Sequence, residues 1–344
     1  MLRRKNSIHF YVIILLFAIA SLELVPNALV LLYPDLSSTL FSSGRTATAY
    51  RWAYRTIGMS HICFMAYNIA LIYLMILVVL SVHFSLITKT LIISSLVLLS
   101  IIIVFPIVTP INLLLMACTQ KRPFLSKDEV ISSYPELRYF EKHFKVIRKE
   151  YDSFVRVFTP NCFSDVNPFL RQAGGMNGDK NCWRSLFLKR GGVFLDDAVS
   201  NFPNTMELLD KPYIHNAFFS ILDPNVEIPE HEGYYKGYLR YHLGVVIPDC
   251  DPGCSEMAYI VVGGKKYHWK QGKGVVFDDM FTHYVKNPTG KKRVVLFVDL
   301  IRKDIPKIFQ PVNRAGIWII EKHPLLGKLS KNQHKTRSIG PKKK

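Results

Sequence analysis

Apolar residues are not spread evenly along this chain. Three long apolar blocks fill its first third: Ile8–Tyr33, broken by Glu23 and Pro26; His61–His83; and Thr90–Cys118, broken by Pro106 and Pro110. About 20 apolar residues span a bilayer, so the second block fits one membrane helix. The third exceeds one span. Its prolines predict a helix ending near Phe105, with Val108–Cys118 as a surface or re-entrant piece. The first block follows Arg3-Arg4-Lys5 without a clear small-residue cleavage site and reads as an uncleaved anchor.

Beyond Cys118 the texture changes. Leu137, Phe140, Phe144, Ile147 and Tyr151 recur at three- and four-residue steps, which predicts an amphipathic helix within Lys127–Arg156. Ser126-Lys127-Asp128-Glu129 carries the capping-box signature at its start. From Tyr213 onward short β runs alternate with turns: Asn216–Leu222, Tyr238–Ile247, Met257–Val262, Lys265–Trp269, Gly274–Phe277, His283–Lys286 and Arg293–Ile301. Gly263-Gly264 between two of them marks a tight hairpin. Strands this short and this close suggest a double-sheet jelly roll or barrel. The Gly174–Gly178 cluster lacks the strand and helix that flank a phosphate cradle and reads as a loop.

Charge follows the same division. Of 44 basic and 26 acidic residues, only seven and two lie within the stretch that ends at Cys118, so the net charge of +18 belongs mostly to the later part. Such a chain is neither disordered nor collagen-like. We expect a membrane region over 1–118, a catalytic domain over 119–312 and a basic tail over 313–344. Glu321–Lys344 holds eight basic residues and one acidic, read as a disordered stretch drawn to anionic lipid rather than to nucleic acid. Basic residues at both ends of the apolar region leave the number of spans open, and a cytosolic catalytic domain on a multi-pass membrane protein is the expectation. Six scattered cysteines form no zinc-finger spacing; Cys250 and Cys254 flank a turn as a bonded pair or as loop thiols.

The chemistry concentrates in a few strands. Alternation puts Arg240 and His242 on one face, and Arg293, Val295, Phe297 and Asp299 on one face of the last strand. His231 lies just upstream of the Tyr238 run, and His283 ends Phe277–His283 after the hairpin. Neutral imidazoles meeting at the mouth of a small β fold suit Fe(II), and an interior Arg can clamp a carboxylate. Singly, each is more often a satisfied core or surface residue. Together, Ser220-Ile221-Leu222-Asp223-Pro224, Ile228-Pro229-Glu230-His231-Glu232-Gly233, Lys236–Gly244, Trp269–Gly272, Phe277-Asp278-Asp279 with His283, and Arg293 through Asp299 resemble the aspartyl/asparaginyl β-hydroxylase family, which includes bacterial lipid A acyl 2-hydroxylases. The spacings agree: eleven from 220 to 231, eleven from 231 to 242 and ten from 283 to 293.

The resemblance covers roughly 125–312 and implies a mainly β, double-stranded β-helix (jelly-roll) domain with flanking helices, using Fe(II), 2-oxoglutarate and O2. It assigns His231 and His283 as metal ligands. Ser220, Arg240, His242 and Arg293 become the groups holding 2-oxoglutarate. Gly233 stands where a facial-triad carboxylate would be, matching the branch in which water replaces that ligand, and Asp279 matches an aspartate that orients the water. Glu232 is read as a surface charge. The implied reaction is hydroxylation of an unactivated C–H with decarboxylation to succinate. A lipid acyl chain is the first expected substrate, on the apolar region, the Pro110–Leu125 entry segment and the Ile317–Ile320 stretch before the basic tail. A protein Asp or Asn side chain is the second, and a catalytically silent membrane protein the third reading.

Overall fold

The computed structural model describes scattered residues between 73 and 80, then 85–102, 104–162, 182–231, 233, 235–250, 255–322 and 333–336. The apolar block at 8–33, nearly all of 61–83, the Gly174–Gly178 loop, Glu232 and Cys254 lie outside the described residues. The chain divides into two compact units, Met1–Leu113 and Leu114–Lys344.

In the first unit, the third apolar block forms α1 (Leu86–Ile102), followed by α2 (Val104–Cys118), which runs into the second unit. Ile103, between the two, lies outside the described residues, and Pro106 and Pro110 both lie within described helix rather than ending it. Among the described residues, no helix is long and apolar enough to cross a membrane.

The second unit opens with α3 (Lys127–Ser133), α4 (Leu137–Lys142) and α5 (Phe144–Val157). One helix was expected here, but Pro135 cannot continue α3, and the stripe is divided over two segments. The predicted capping box is present: the Ser126 N–H donates to Glu129 Oε2 at 2.7 Å, and the Glu129 N–H to Ser126 Oγ at 3.3 Å. Leu137, Phe140, Ile147 and Tyr151 are buried as the periodicity predicts.

The strands are β1 (Phe158–Pro160), β2 (Trp183–Arg190), β3 (Val193–Phe194), β4 (Ile214–Leu222), β5 (Val226–His231), β6 (Tyr238–Val246), β7 (Tyr259–Val262), β8 (Lys265–His268), β9 (Gly274–Phe277), β10 (His283–Asn287), β11 (Arg293–Ile301) and β12 (His334–Thr336). Short helices α6 (Asp196–Asn201) and α7 (Pro203–Leu209) precede β4, and α8 (Gln310–Lys322) follows β11. A six-stranded sheet runs β3-β2-β4-β11-β6-β9 and a four-stranded sheet β5-β10-β7-β8, every pair antiparallel. Leu222, Phe277 and Val295 of the large sheet share one core with Ile228, Ile260, Val262 and Val285 of the small one, so the sheets face each other. The larger core lies between the other face of the large sheet and helices α4 and α5. The fold is mainly β, as expected, with the Gly263-Gly264 hairpin at positive φ closing β7 onto β8.

The stretch bounded as a basic tail from 313 lies at first in α8, whose Asn313, Gly316, Ile317 and Ile320 are buried, and of the segment expected as disordered, Glu321 and Lys322 end that helix. Farther on, β12 pairs with β1, and the buried Gln333 side chain accepts the Phe187 N–H at 2.8 Å. Apolar positions every third or fourth residue give α8 a face to bury, which the basic composition obscured. A disulfide joins Cys162 to Cys182, and Cys250 is also disulfide-bonded.

Candidate active site

Ladder register builds one end of the site. In the β5–β10 pair, His231 stands directly opposite His283, a pairing that brings Cα atoms within about 4.5–5.5 Å. Two histidines distant in sequence thus meet at one point of the small sheet. The His283 ring is buried, and its Nδ1 lies 2.9 Å from the Phe281 carbonyl oxygen. That nitrogen must carry the proton, which makes Nε2 the acceptor nitrogen of the ring. Burial, helped by nearby Arg240 and opposed by the Phe281 bond, pushes the His283 pKa down to about 4, so the ring is neutral at pH 7.

Asp279 supplies a carboxylate at the same end. A Cβ on Gly233 would overlap its Cγ and both oxygens, so the Asp279 carboxylate fills the volume that a side chain two residues after His231 would occupy. The Gly233 N–H donates to the Asp279 carbonyl at 2.7 Å, fixing that approach. From the other side Arg240 Nε donates to Asp279 Oδ2 at 2.8 Å, while Arg240 Nη1 donates to Asp299 Oδ1. Asn216 Nδ2 completes the row with a 2.7 Å bond to Asp299 Oδ2. Register explains it, since Asp299 is the cross-strand partner of both Arg240 and Asn216. Arg240 was expected among the groups that hold 2-oxoglutarate; the structure commits its Nε and Nη1 to two carboxylates. Beneath it, Lys236 and Arg302 both donate to the fully buried Asp278, whose Oδ1 accepts the Met280 N–H. This cluster holds the loop between β9 and β10.

The other end is cationic. Arg293 is 1% exposed, and its Nη1 donates to the Ser220 carbonyl and hydroxyl at 3.1 and 3.3 Å. No carboxylate among the described residues pairs with it, and burial alone lowers its pKa to about 9. Its guanidinium lies 4.7 Å from the centre of the Trp269 ring, and Trp183 Nε1 donates to Ser220 Oγ at 2.9 Å. His242 stacks on Trp269 and meets Phe277 edge-on at 4.8 Å. Burial, then Arg293, His283 and Arg240, hold the His242 pKa well below its ordinary value. Both His242 nitrogens, Trp269 Nε1 and Arg293 Nε are buried without a hydrogen-bond partner among the described residues. Leaving such groups unmet is costly, so this pocket is complete only with a bound acceptor, and an anion answers both the donors and the charge.

The structure therefore brings together His231, His283 and Asp279 at one end and Ser220, His242 and Arg293 at the other, with Phe277 touching both His242 and His283. Among the described residues, no trio of His, Cys, Asp or Glu side chains forms a ready-made metal cluster. Trp269, Trp183, Asn216 and the role of Asp299 were missed by sequence reasoning. Trp269 lay in view within a quoted segment, but nothing in its spacing announced a pocket wall.

The two-sheet β fold thus sets the His231 and His283 backbones opposite each other across a ladder and, among the described residues, leaves Arg293 without a carboxylate partner. Residues 141–303 match the family model described as aspartyl/asparaginyl beta-hydroxylase. The ornithine lipid ester-linked acyl 2-hydroxylase of Rhizobium tropici is 32% identical over 173 residues, covering 50% of this chain and 59% of that one. Human aspartate beta-hydroxylase domain-containing protein 2 is 29% identical over 189 residues, covering 52% and 47%. Human aspartyl/asparaginyl beta-hydroxylase is 30% identical over 180 residues, covering 49% of this chain and 21% of that protein. The chain thus spans a fifth to three fifths of these relatives. Among solved structures, a prolyl-4-hydroxylase from Pseudomonas putida aligns with a TM-score of 0.30 at 12% identity, over 46% of this chain and 88% of that one.

Proposed function

We propose that this chain is a membrane-anchored dioxygenase that uses Fe(II) and 2-oxoglutarate to hydroxylate a lipid acyl chain. The observation that carries the reading is the buried Arg293–His242–Trp269 pocket, with its unmet donors, beside the His231–His283 pair. Two neutral imidazoles suit Fe(II), and a cationic pocket lined with donors suits a diacid. Bound iron, with 2-oxoglutarate and O2, supplies oxidation of a C–H to C–OH coupled to release of succinate and CO2.

The residues do the rest. Arg293 and Ser220 hold the distal carboxylate of 2-oxoglutarate, with His242 donating from its neutral ring. His231 and His283 would hold the metal, His283 through its neutral ring. Asp279 accepts a hydrogen bond from water on the metal side, aimed by Arg240, which Asp299 and Asn216 hold in place. Phe277 and Trp269 keep bulk water away from the interior.

A lipid substrate is supported by the Rhizobium relative's name and by the apolar first third of the chain. Hydroxylation of a protein Asp or Asn side chain is the second reading, favoured by the human relative and by glycine rather than a carboxylate at position 233. As to location, two disulfide-bonded positions in the catalytic unit count against the expected cytosolic placement, because disulfides persist in oxidising compartments. We therefore place the unit on the non-cytosolic side of its membrane.

The test is 2-oxoglutarate-to-succinate turnover by the detergent-solubilised protein with Fe(II), with and without a membrane lipid extract, and His283→Ala as blank. Turnover that rises with lipid, with a gain of one oxygen on an acyl chain, supports the first reading. Turnover indifferent to lipid supports the second. No iron-dependent turnover overturns both and leaves a silent membrane protein.

A further inference from the structure

The segment from Lys303 to Lys322 carries a surface that the reaction does not use. Ile308, in a 3-10 turn before α8, is 76% exposed, and Trp318 is 60% exposed. The steps 308, 311, 315, 318, 322 are three or four residues each, and all five positions are exposed, so they form one line along the helix. Lys307 and Arg314 are exposed beside this line, and Lys322 ends it. The two acids of the segment are engaged elsewhere: Asp304 by Arg302 at 2.8 Å and Glu321 by His215 at 2.7 Å. The chain then continues through residues 323–344 with seven more basic residues and no acidic one.

We propose that this face of α8 docks on an anionic lipid bilayer, with Trp318 and Ile308 seated at the level of the headgroups and the basic residues on the lipid phosphates. The pattern fits no purely electrostatic partner, because a large indole and an isoleucine stand at its centre. Trp at the headgroup level, flanked by Lys and Arg, is the composition of an interfacial helix. Charge complementarity selects the anionic surface over a neutral one.

The buried side of α8 shows what docking would bring to the bilayer. A Cβ on Gly316 would overlap the Tyr235 ring, and the Tyr235 hydroxyl bonds the Asn313 carbonyl and Oδ1 at 2.9 and 2.7 Å. Asn313 Nδ2 in turn donates to the Gly237 carbonyl at 3.4 Å. Tyr235 and Gly237 belong to the connection that leaves His231 and Gly233 for β6. The docked helix would therefore carry the connection that follows His231 toward the lipid, a placement that deepens the acyl-chain reading and rests on it for its meaning.

The full chain would be reconstituted in vesicles of phosphatidylcholine with phosphatidylglycerol, or of phosphatidylcholine alone, with lipids brominated near the headgroup end of the acyl chains. Subtracting the emission of Trp318→Phe from that of the parent isolates Trp318 among the four tryptophans. Quenching of that component in the anionic vesicles is expected. It should weaken by about fivefold in surface affinity per removed charge in Lys307→Glu/Arg314→Glu. An unquenched Trp318, or quenching equal in neutral vesicles and unaffected by the charge reversals, overturns the proposal. So does a cross-link from position 318, substituted Trp318→Cys, to a second copy of the chain. Iron-dependent 2-oxoglutarate turnover in detergent, expected unchanged in these variants, is read separately. Loss of turnover in the parent chain would strike the hydroxylase reading and leave the quenching result standing.

Discussion

Replacing Arg293 by Met should make the ligand-free protein more stable and the ligand-bound one less so. Burial lowers the guanidinium pKa from its ordinary value to about 9, and at 1.36 kcal/mol per tenfold change in proton affinity this is a cost of roughly 5 kcal/mol. The cost applies in full below pH 9, where both folded and unfolded chains hold the proton. It fades as the pH rises from about 9 toward that ordinary value. Against it stand two hydrogen bonds to Ser220 and the contact with Trp269, together worth about 2–4 kcal/mol. Methionine fills similar volume without charge, so the net gain is about 1–3 kcal/mol. For a unit of this size that raises Tm by about 2–4 °C per kcal/mol. Saturating 2-oxoglutarate should reverse the order: at a hundred times Kd it adds about 2.7 kcal/mol to the parent and nothing to the variant. Thermal unfolding of anaerobic, Fe(II)-loaded protein, with and without 2-oxoglutarate, reads both effects. An Arg293→Met protein that melts lower than the parent yet keeps the full 2-oxoglutarate shift would refute the reasoning.

Arg240→Lys should lower kcat at least tenfold while leaving KM for 2-oxoglutarate within about twofold, because a lysine cannot bridge Asp279 and Asp299 with one planar fork. A raised KM with normal kcat would return Arg240 to the co-substrate pocket. Gly233→Ala and Asp279→Ala should each weaken Fe(II) binding about 10–100-fold, and the double variant should be no worse than either, since the new methyl and the carboxylate compete for one volume; additive losses in a metal titration would count against this. Reducing the Cys162–Cys182 bond, which closes a separation of 20 residues, should cost about 3 kcal/mol, checked by urea unfolding of Cys182→Ser with Cys162→Ser.

The sequence made the strands legible wherever alternation was strong: β6, β9, β10 and β11 lie within a residue or two of their expected bounds. It did not reveal β5, although this strand carries His231. Val226–His231 contains Pro229 and two glutamates and was not among the expected β runs; pairing along β10 imposes the extended form. Strand β2, next to the edge of the large sheet, was not visible as a β run, because it includes Arg184, Lys189 and Arg190, and the Lys189 ammonium is buried against the carbonyls of Leu209 and Lys211. Of the site, the residue types were legible and their grouping was not. That Arg240 serves Asp279 while Arg293 stands alone depends on cross-strand register, which no local pattern encodes.

Register also explains why two arginines on one sheet face do opposite work. Arg240 lies opposite Asp299 and within reach of Asp279, so its charge is met inside the protein. Arg293 lies opposite Leu222, and among the described residues its charge is met by nothing but Ser220 oxygens and an aromatic face. The interior is therefore built with negative charge at the histidine end and positive charge at the other. A divalent cation at the first and a dianion at the second cancel each other, whereas either alone leaves a buried excess. Low dielectric magnifies that difference. Each ligand must then tighten the other by the same factor, since coupling between binding sites is reciprocal. Arg293 is the hinge of that coupling: with methionine in its place, the dianion loses its counter-charge and the metal site loses the benefit of a bound co-substrate.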